Sequence, residues 1–320
     1  MNKQEILRVN EKELGEGKNR VYFMSLGYKL AGDLYLPKGF DADKKYPTIL
    51  YTRPGSQVKE QSGAVYGDKL CAKGYVFFVF DPINYGDSEG PVRNFESIHN
   101  MAPNTKDAVS FLRMMKFVDR DNFFGLSACA GAPYICNVAI GDIRIKAVAT
   151  IVGNFDAAAA LFGSYPKEAI DQFLADAAEG SQKYYETGEY EMGEIFKGLP
   201  LPPPEQAPRN IKDAYRYYFE DAGHDKIPNY TPTYAKIGMP LDPARVFVGQ
   251  AKYFTRPLLV IAGSDAFTKD MDKQVYDLAG GEKEWFEIEG ASHIDLYDID
   301  KYVDQALGKV DEFFKKYSTK

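Results

Sequence analysis

Histidine and cysteine are scarce in this chain of 320 residues. It contains three of each, at His99, His224, His293, Cys71, Cys129 and Cys136. So few side chains leave little material for a zinc site, and none of the cysteines forms a close C-x-x-C pair. The sequence therefore predicts no metal centre, and the odd number of thiols favours a reducing, cytoplasmic compartment.

Long apolar runs and an excess of positive charge are missing as well. No stretch approaches the roughly 18 consecutive apolar residues of a membrane span, and the N-terminus lacks the apolar core of a signal peptide. The 39 basic side chains are outnumbered by 46 acidic ones, which gives a formal net charge of −7. Nucleic-acid binding needs clustered Lys and Arg, so neither a nucleic acid nor a membrane is expected as a partner.

What the chain does contain is a regular alternation of apolar β-type runs and helical patterns. A hairpin is predicted over residues 20–36. Further strands are predicted over residues 46–52, 75–81, 122–126, 145–152, 257–262 and 285–288. Helices are predicted over residues 58–73, 104–117, 128–140 and 299–317. This order predicts an α/β fold with a mostly parallel central sheet.

One long segment departs from this rhythm. About 100 residues without a good strand separate the strand that ends near residue 152 from the one that begins at 257, which is too long for a plain loop. We therefore expect a helical cap over residues 155–254, inserted into a core of residues 1–154 and 255–320. A second domain with its own function is the alternative. The many tyrosines of this segment either line an apolar pocket or form the core of the cap.

The sequence NFFGLSACAG at residues 122–131 provides a candidate nucleophile. A strand is predicted to end at Leu126, Ser127 follows, and a helix of small residues begins, which is the pattern of a strained strand–nucleophile–helix turn. Ser127 could instead serve as an ordinary helix N-cap. Cys129 is a second candidate nucleophile, because a thiol at a helix N-terminus gains acidity.

A serine hydroxyl needs a general base, and histidine is the usual one. In the order expected for a strand–nucleophile–helix enzyme, acid and base follow the nucleophile. Asp265 ends a late strand and His293 lies in a loop after the last strand, whereas His99 precedes Ser127 and His224 falls in the predicted cap. Weaker candidates for the acid are Asp270, Asp272 and Asp295.

An oxyanion hole is expected from two backbone N–H groups. One is assigned to Ala128, directly after the serine. The other is assigned to Ser56 or Gln57, in the loop RPGSQVKEQ that follows the strand at 46–52. The alternative is that Pro54 and Gly55 form only a turn.

Several segments together resemble one branch of the α/β-hydrolase superfamily, which includes dienelactone-hydrolase-like and polyketide-transferase-like esterases. The matching segments are PGSQVKEQ, FDPINYGDSEG, RNFES, AVSFLRMMKFVDRDNFFGLSACAGAPY, IKAVATIV, IAGSDA and GASHIDLYD. They cover most of residues 20–155 and 255–318 in family order. The resemblance implies an α/β-hydrolase fold with a helical cap inserted after strand 6. It also implies Ser127 as nucleophile, Asp265 as acid and His293 as base.

Two positions depart from that family pattern. The turn commonly reads G-x-C-A-S-G-G in relatives, so serine and cysteine are exchanged at positions 127 and 129. The oxyanion loop commonly begins His-Pro, whereas Arg53 precedes Pro54 here. Arg53 and Gly55 are candidate substrate-binding residues, and an ion pair with a nearby carboxylate is the favoured alternative for Arg53.

These observations predict a serine hydrolase that cleaves a carboxylic ester, thioester or lactone through an acyl-enzyme on Ser127, with no cofactor. The expected substrate is a small molecule with an apolar acyl or alcohol part, and a homodimer is left open. One alternative is an acyltransferase of polyketide assembly that uses the same triad. The other is a non-catalytic binding protein with the same fold.

Overall fold

The structure is a computed structural model that describes residues 6–164, 166–195, 200–237 and 246–319. Its central feature is a sheet of eight strands in the order β1-β2-β4-β3-β5-β6-β9-β10. Strand β2 is antiparallel to both of its neighbours, and all other pairs are parallel. Within the described ranges, no helix is both long and apolar enough to cross a bilayer.

The bounds of the elements are as follows. The strands are β1 (Gly17–Ser25), β2 (Tyr28–Leu36), β3 (Tyr46–Thr52), β4 (Val76–Phe80), β5 (Val118–Ala128), β6 (Ala147–Ile151), β7 (Met192–Glu194), β8 (Thr233–Ala235), β9 (Leu258–Gly263) and β10 (Lys283–Ile288). The helices are α1 (Ser62–Cys71), α2 (Ile98–Leu112), α3 (Gly131–Gly141), α4 (Ala157–Ser164), α5 (Lys167–Thr187), α6 (Arg209–Tyr215), α7 (Lys269–Leu278), α8 (Asp295–Asp298) and α9 (Asp300–Tyr317). A π-helical turn (Arg216–Asp221) continues α6.

The sheet is buried on both faces, as its continuous apolar strands predict. Helices α2, α3 and α7 pack on one face, and α1 and α9 pack on the other. Successive side chains of β5 point to opposite faces of the sheet, since Phe123 packs in the first layer and Phe124 in the second. There the ring of Phe124 stacks on that of Phe314 with 4.5 Å between centroids. The predicted mostly parallel sheet flanked by helices is confirmed.

The boundaries of some elements differ from the predicted ones. Helix α2 begins six residues before the predicted start at 104, because Ser97 caps it by accepting the N–H of His99 at 3.2 Å. Strand β5 continues to Ala128 instead of ending at Leu126, and α3 begins only at Gly131. This last difference moves the turn that precedes α3 by two residues.

The segment between β6 and β9, residues 155–254, is called the cap below. Its described residues form α4, α5, α6 and the π-helical turn, which agrees with the helical reading of the sequence. They also form the short antiparallel pair of β7 and β8, which was not predicted. This pair has only three residues in each strand, too few for a period-two pattern to be visible in the sequence.

Candidate active site

The turn between β5 and α3 is formed by Cys129. Its φ of 52° lies in the left-handed region, which a residue with a side chain rarely adopts. The turn is held tightly against the neighbouring strand, because a Cβ on Gly131 would lie 2.1 Å from the carbonyl oxygen of Thr52. The Cys129 N–H donates to the carbonyl of Ile151 at 3.1 Å. Cys129 therefore occupies the strained turn position that the sequence pattern predicted for Ser127.

Ser127 lies inside the sheet instead. It pairs with Thr52 of β3 on one side and Thr150 of β6 on the other, and its side chain is fully buried. Its Oγ has no hydrogen-bond partner among the described residues. The prediction that Ser127 occupies the turn is wrong, because β5 is two residues longer than its apolar run indicates.

Three polar side chains from distant parts of the chain meet around Cys129. Tyr297 of α8 forms a side-chain hydrogen bond with Cys129. Tyr218, from the π-helical turn of the cap, hydrogen-bonds Tyr297, and its pKa is raised by burial and by the nearby thiol of Cys129. The Nε2 of Gln57 donates to the hydroxyl of Tyr218 at 3.4 Å. The thiol is half-buried among these groups.

His293 lies next to this cluster, in the loop between β10 and α8. Its Nε2 is 2.9 Å from the hydroxyl of Tyr297, and its Nδ1 is 3.0 Å from Oγ1 of Thr268. The ring stacks on Phe267 with 4.3 Å between centroids. Burial lowers the pKa of His293 to about 3, so the resting imidazole is neutral and able to accept a proton.

Asp265 does not meet His293 in the structure. Its half-exposed carboxylate pairs with Arg209 of the cap at 2.5 Å and accepts the hydroxyl of Ser264 at 3.0 Å. The side chain that faces Nδ1 of His293 is Thr268. The prediction that Asp265 contacts His293 is therefore wrong, because the Asp265 carboxylate is paired with the guanidinium of Arg209 instead.

A buried carboxylate lies behind Thr268. The hydroxyl of Thr268 donates to Oδ2 of Asp272 at 3.4 Å, and Oδ1 of Asp272 accepts the N–H of Gly153 at 2.8 Å. Burial raises the pKa of Asp272 well above its ordinary value. The arrangement is therefore Asp272, Thr268 and His293 in series. The sequence ranked Asp272 among its weaker candidates.

The predicted oxyanion donors are also revised. The N–H of Ser56 donates to Oε2 of Glu96 at 2.9 Å, that of Gln57 donates to the carbonyl of Pro54 at 3.4 Å, and Ala128 precedes the turn residue. Two neighbouring N–H groups, those of Gly55 and Ala130, have no hydrogen bond to another described residue. A Cβ on Gly55 would lie 3.3 Å from that of Ala130, so the two backbones approach each other beside Cys129.

Arg53 is buried and forms the ion pair that the sequence favoured. Its Nη1 donates to the carbonyl of Pro54 at 2.6 Å and lies 3.4 Å from Oε2 of Glu96, and the guanidinium stacks on Tyr85 at 4.3 Å. Glu96 also accepts the hydroxyl of Tyr134 at 2.7 Å. Glu96 thus fixes the shape of the loop that carries Gly55.

The cap is tied to this edge of the sheet by two arginines. Arg209 binds Asp295 at 2.6 Å as well as Asp265, and Arg216 binds Asp298 at 2.6 Å. Asp295 and Asp298 are the first and last residues of α8. In the part of the chain that the structure describes, no group of three His, Cys, Asp or Glu side chains could hold a metal ion.

Tyr297 and Thr268 were missed by the sequence reasoning. Tyr297 lies four residues after His293 in the segment SHIDLYD, a spacing that places two side chains on one face of a helical turn. Thr268 lies three residues after Asp265, just before α7. Both signals are short, and neither a tyrosine nor a threonine belongs to the carboxylate–histidine pair that the sequence predicts.

No family model matches the chain. Two curated relatives cover most of it. An uncharacterised Escherichia coli protein, YcjY, is 29% identical over 301 residues, which are 90% of this chain and 94% of that protein. The acyltransferase drtE of Aspergillus calidoustus is 24% identical over 291 residues, which are 87% of this chain and 89% of that protein.

Solved structures match the whole architecture. The crystal structure of the hypothetical protein PA2218 from Pseudomonas aeruginosa has a TM-score of 0.80 at 25% identity and covers 98% of this chain and 99% of that one. The α/β hydrolase GrgF from a Penicillium species has a TM-score of 0.76 at 16% identity and covers 94% of this chain and 98% of that one. At such low identity, the second likeness is one of fold alone.

Proposed function

We propose that this chain, which belongs by its fold to the α/β-hydrolase superfamily, cleaves a carboxylic ester, thioester or lactone through an acyl-enzyme on Cys129. The observation that carries the proposal is the position of Cys129. It has the positive φ of the turn between β5 and α3, where this fold presents its nucleophile. Ser127 is buried within β5 and is not proposed as the nucleophile.

The proposed reaction uses the groups around the thiol. The sulfur of Cys129 attacks the acyl carbon while its proton passes to the neutral imidazole of His293. The oxygen that becomes negative is stabilised by the N–H groups of Gly55 and Ala130. The tetrahedral intermediate collapses, the leaving group takes the proton back, and a water molecule activated by His293 releases the acid from the sulfur.

The cap is proposed to shape the substrate site and to favour a small molecule with an apolar acyl or alcohol part. This is supported by Tyr218, which the cap places beside Cys129, and by Tyr230, whose ring centroid lies 5.9 Å from that of Tyr218. We accordingly propose residues 155–254 as a cap on a core of residues 1–154 and 255–320, in a protein of the cytoplasm.

Acyl transfer to an acceptor other than water is the second candidate. It is favoured by the relative that is named an acyltransferase, which matches 87% of this chain. The same acyl-enzyme would serve both reactions, because the two differ only in the nucleophile of the second step. Product analysis after addition of N-acetylcysteamine, an alcohol or an amine to the acyl-enzyme distinguishes them.

Intact-mass analysis with 4-nitrophenyl acetate tests the proposal. We expect one acetyl group on the wild-type protein and on Ser127→Ala, and none on Cys129→Ala. Cys71→Ala is the matched control, since Cys71 is also a half-buried cysteine outside any disulfide but lies at the end of α1. Acetylation that survives in Cys129→Ala and disappears in Ser127→Ala would overturn the proposal. Absence of acetylation and of turnover on a panel of esters and thioesters would favour a non-catalytic protein.

A further inference from the structure

We infer that Tyr297 is a catalytic residue that carries the proton between Cys129 and His293, and that Thr268 positions His293 in the place usually taken by a carboxylate. The inference rests on the proposed function, because it assumes that Cys129 attacks. It concerns two hydroxyl groups, one on each side of the imidazole. The hydroxyls would turn a direct nucleophile–base–acid contact into a longer relay.

The first hydroxyl lies between the thiol and the base. The oxygen of Tyr297 is 2.9 Å from Nε2 of His293, and the same side chain is hydrogen-bonded to Cys129. The ring is almost completely buried and packs edge-on against Tyr217 with 5.3 Å between centroids. Burial also raises the pKa of Tyr297 well above its ordinary value, so the phenol keeps its proton and can donate and accept at once.

The second hydroxyl fixes the tautomer of the imidazole. We assign the hydroxyl of Thr268 as the donor to Oδ2 of Asp272, at 3.4 Å, and its oxygen as the acceptor from Nδ1 of His293, at 3.0 Å. Nδ1 of His293 therefore carries the hydrogen, and Nε2 is the bare acceptor. Nε2 in turn accepts the hydroxyl of Tyr297. The Tyr297 oxygen is also hydrogen-bonded to Tyr218, and its remaining lone pair accepts the S–H of Cys129 in the proposed relay.

The proton transfer balances without a further reactant. The S–H bond of Cys129 breaks as a new O–H bond forms on Tyr297, whose original proton passes to Nε2 of His293. The products are a thiolate and an imidazolium, and the phenol has the same number of protons as before. The imidazolium keeps its Nδ1–H bond to Thr268, with the carboxyl group of Asp272 behind it. The reverse transfer returns the proton to the leaving group.

Tyr297→Phe removes the first hydroxyl and keeps the ring. We expect kcat with 4-nitrophenyl acetate and the rate of Cys129 alkylation by iodoacetamide to fall together by about 100-fold, with KM and the melting temperature little changed. Tyr217→Phe is the matched control. Tyr217 is an equally buried neighbour whose hydroxyl has no hydrogen-bond partner among the described residues, so this variant should behave as the wild type.

Thr268→Val and Thr268→Ser test the second hydroxyl. Valine has a similar shape but no hydroxyl, so we expect a loss of roughly tenfold or more in kcat. Serine keeps the hydroxyl and should recover most of that loss. Equal losses in the two variants would mean that Thr268 acts only through packing, and the positioning role would be overturned.

A proton inventory of the wild-type protein keeps the inference testable if Tyr297→Phe does not fold. Acylation rates are measured in mixtures of light and heavy water, where a relay with two protons in flight gives a curved plot and direct transfer a straight one. A straight plot, or unchanged alkylation in a folded Tyr297→Phe, overturns the relay while the proposed function stands. Activity that persists in Cys129→Ala overturns both.

Discussion

The Nζ atom of Lys59 lies 2.6 Å from Oδ2 of Asp81, at a place where neither side chain is exposed to solvent. The backbone N–H of Lys59 also donates to Oδ1 of Asp81 at 2.8 Å. Lys59 follows the loop that carries Gly55, and Asp81 follows β4. The carboxylate of Asp81 accepts hydrogen bonds from both the main chain and the side chain of Lys59. It thus connects the end of β4 to the oxyanion loop.

We predict that Lys59→Met lowers the free energy of unfolding by about 3–5 kcal/mol, because it leaves the carboxylate of Asp81 buried without its cation. Urea denaturation monitored by circular dichroism measures this. The double variant Lys59→Met/Asp81→Leu should be more stable than Lys59→Met alone. Lys273→Met removes an exposed ion pair to Asp277 and should cost less than about 0.5 kcal/mol. A similar cost for the two single variants would contradict the prediction.

Ser127→Ala should leave both activity and stability nearly unchanged. The Oγ of Ser127 is buried and makes no hydrogen bond to a described residue, so its removal breaks no contact and relieves an unpaired polar group. We expect kcat/KM for 4-nitrophenyl acetate within about twofold of the wild-type value and an equal or higher melting temperature. A loss of activity as large as that of Cys129→Ala would restore Ser127 as the nucleophile.

The two aspartates should respond differently to the same substitution. Asp265→Asn changes a half-exposed carboxylate that pairs with Arg209, so kcat should fall by about twofold or less. Asp272→Asn changes the buried group behind Thr268, and kcat should fall by roughly 10- to 100-fold. Steady-state measurement of kcat for both variants tests this ranking. The opposite ranking would return Asp265 to the role of acid.

The stability of the protein should decrease as the pH falls through the range of His293. Its pKa is lowered from 6.5 to about 3 by burial, so the unfolded chain binds a proton more readily than the folded one. The stabilisation is complete above pH 6.5 and is lost towards pH 3, by at most about 5 kcal/mol. Melting temperatures of the wild type and His293→Gln across this range measure it. Parallel curves for the two proteins would exclude His293 as the cause.

The architecture could be predicted because it depends on local patterns. The run VFFVF of β4 is apolar at every position, a composition typical of a strand that is covered on both faces. The end of β5 could not be read in the same way. Ser127 and Ala128 are small and follow the last large apolar residue, Leu126, so nothing in their composition shows that the ladder with Thr150 and Ile151 continues.

The side-chain contacts of the site depend on residues far apart in the chain. Asp265 has the chain position of an acid, yet it turns to Arg209, which lies 56 residues earlier. Thr268 and Tyr297 reach His293 only because α7 packs beside β9 and β10 and α8 packs against α9 and α1. Periodicity and spacing identify the elements that carry these groups, but they do not determine which hydroxyl or carboxylate points at the imidazole.

Two arginines connect the cap to the helix that carries Tyr297. Arg209 and Arg216 bind Asp295 and Asp298 at the two ends of α8, the helix that also carries Tyr297. Movement of the cap away from this sheet edge would break the ion pairs at both ends of this short helix. We therefore predict that a substrate requiring a wider entrance would displace Tyr297, so that these ion pairs would limit the size of the substrate as well as hold the cap in place.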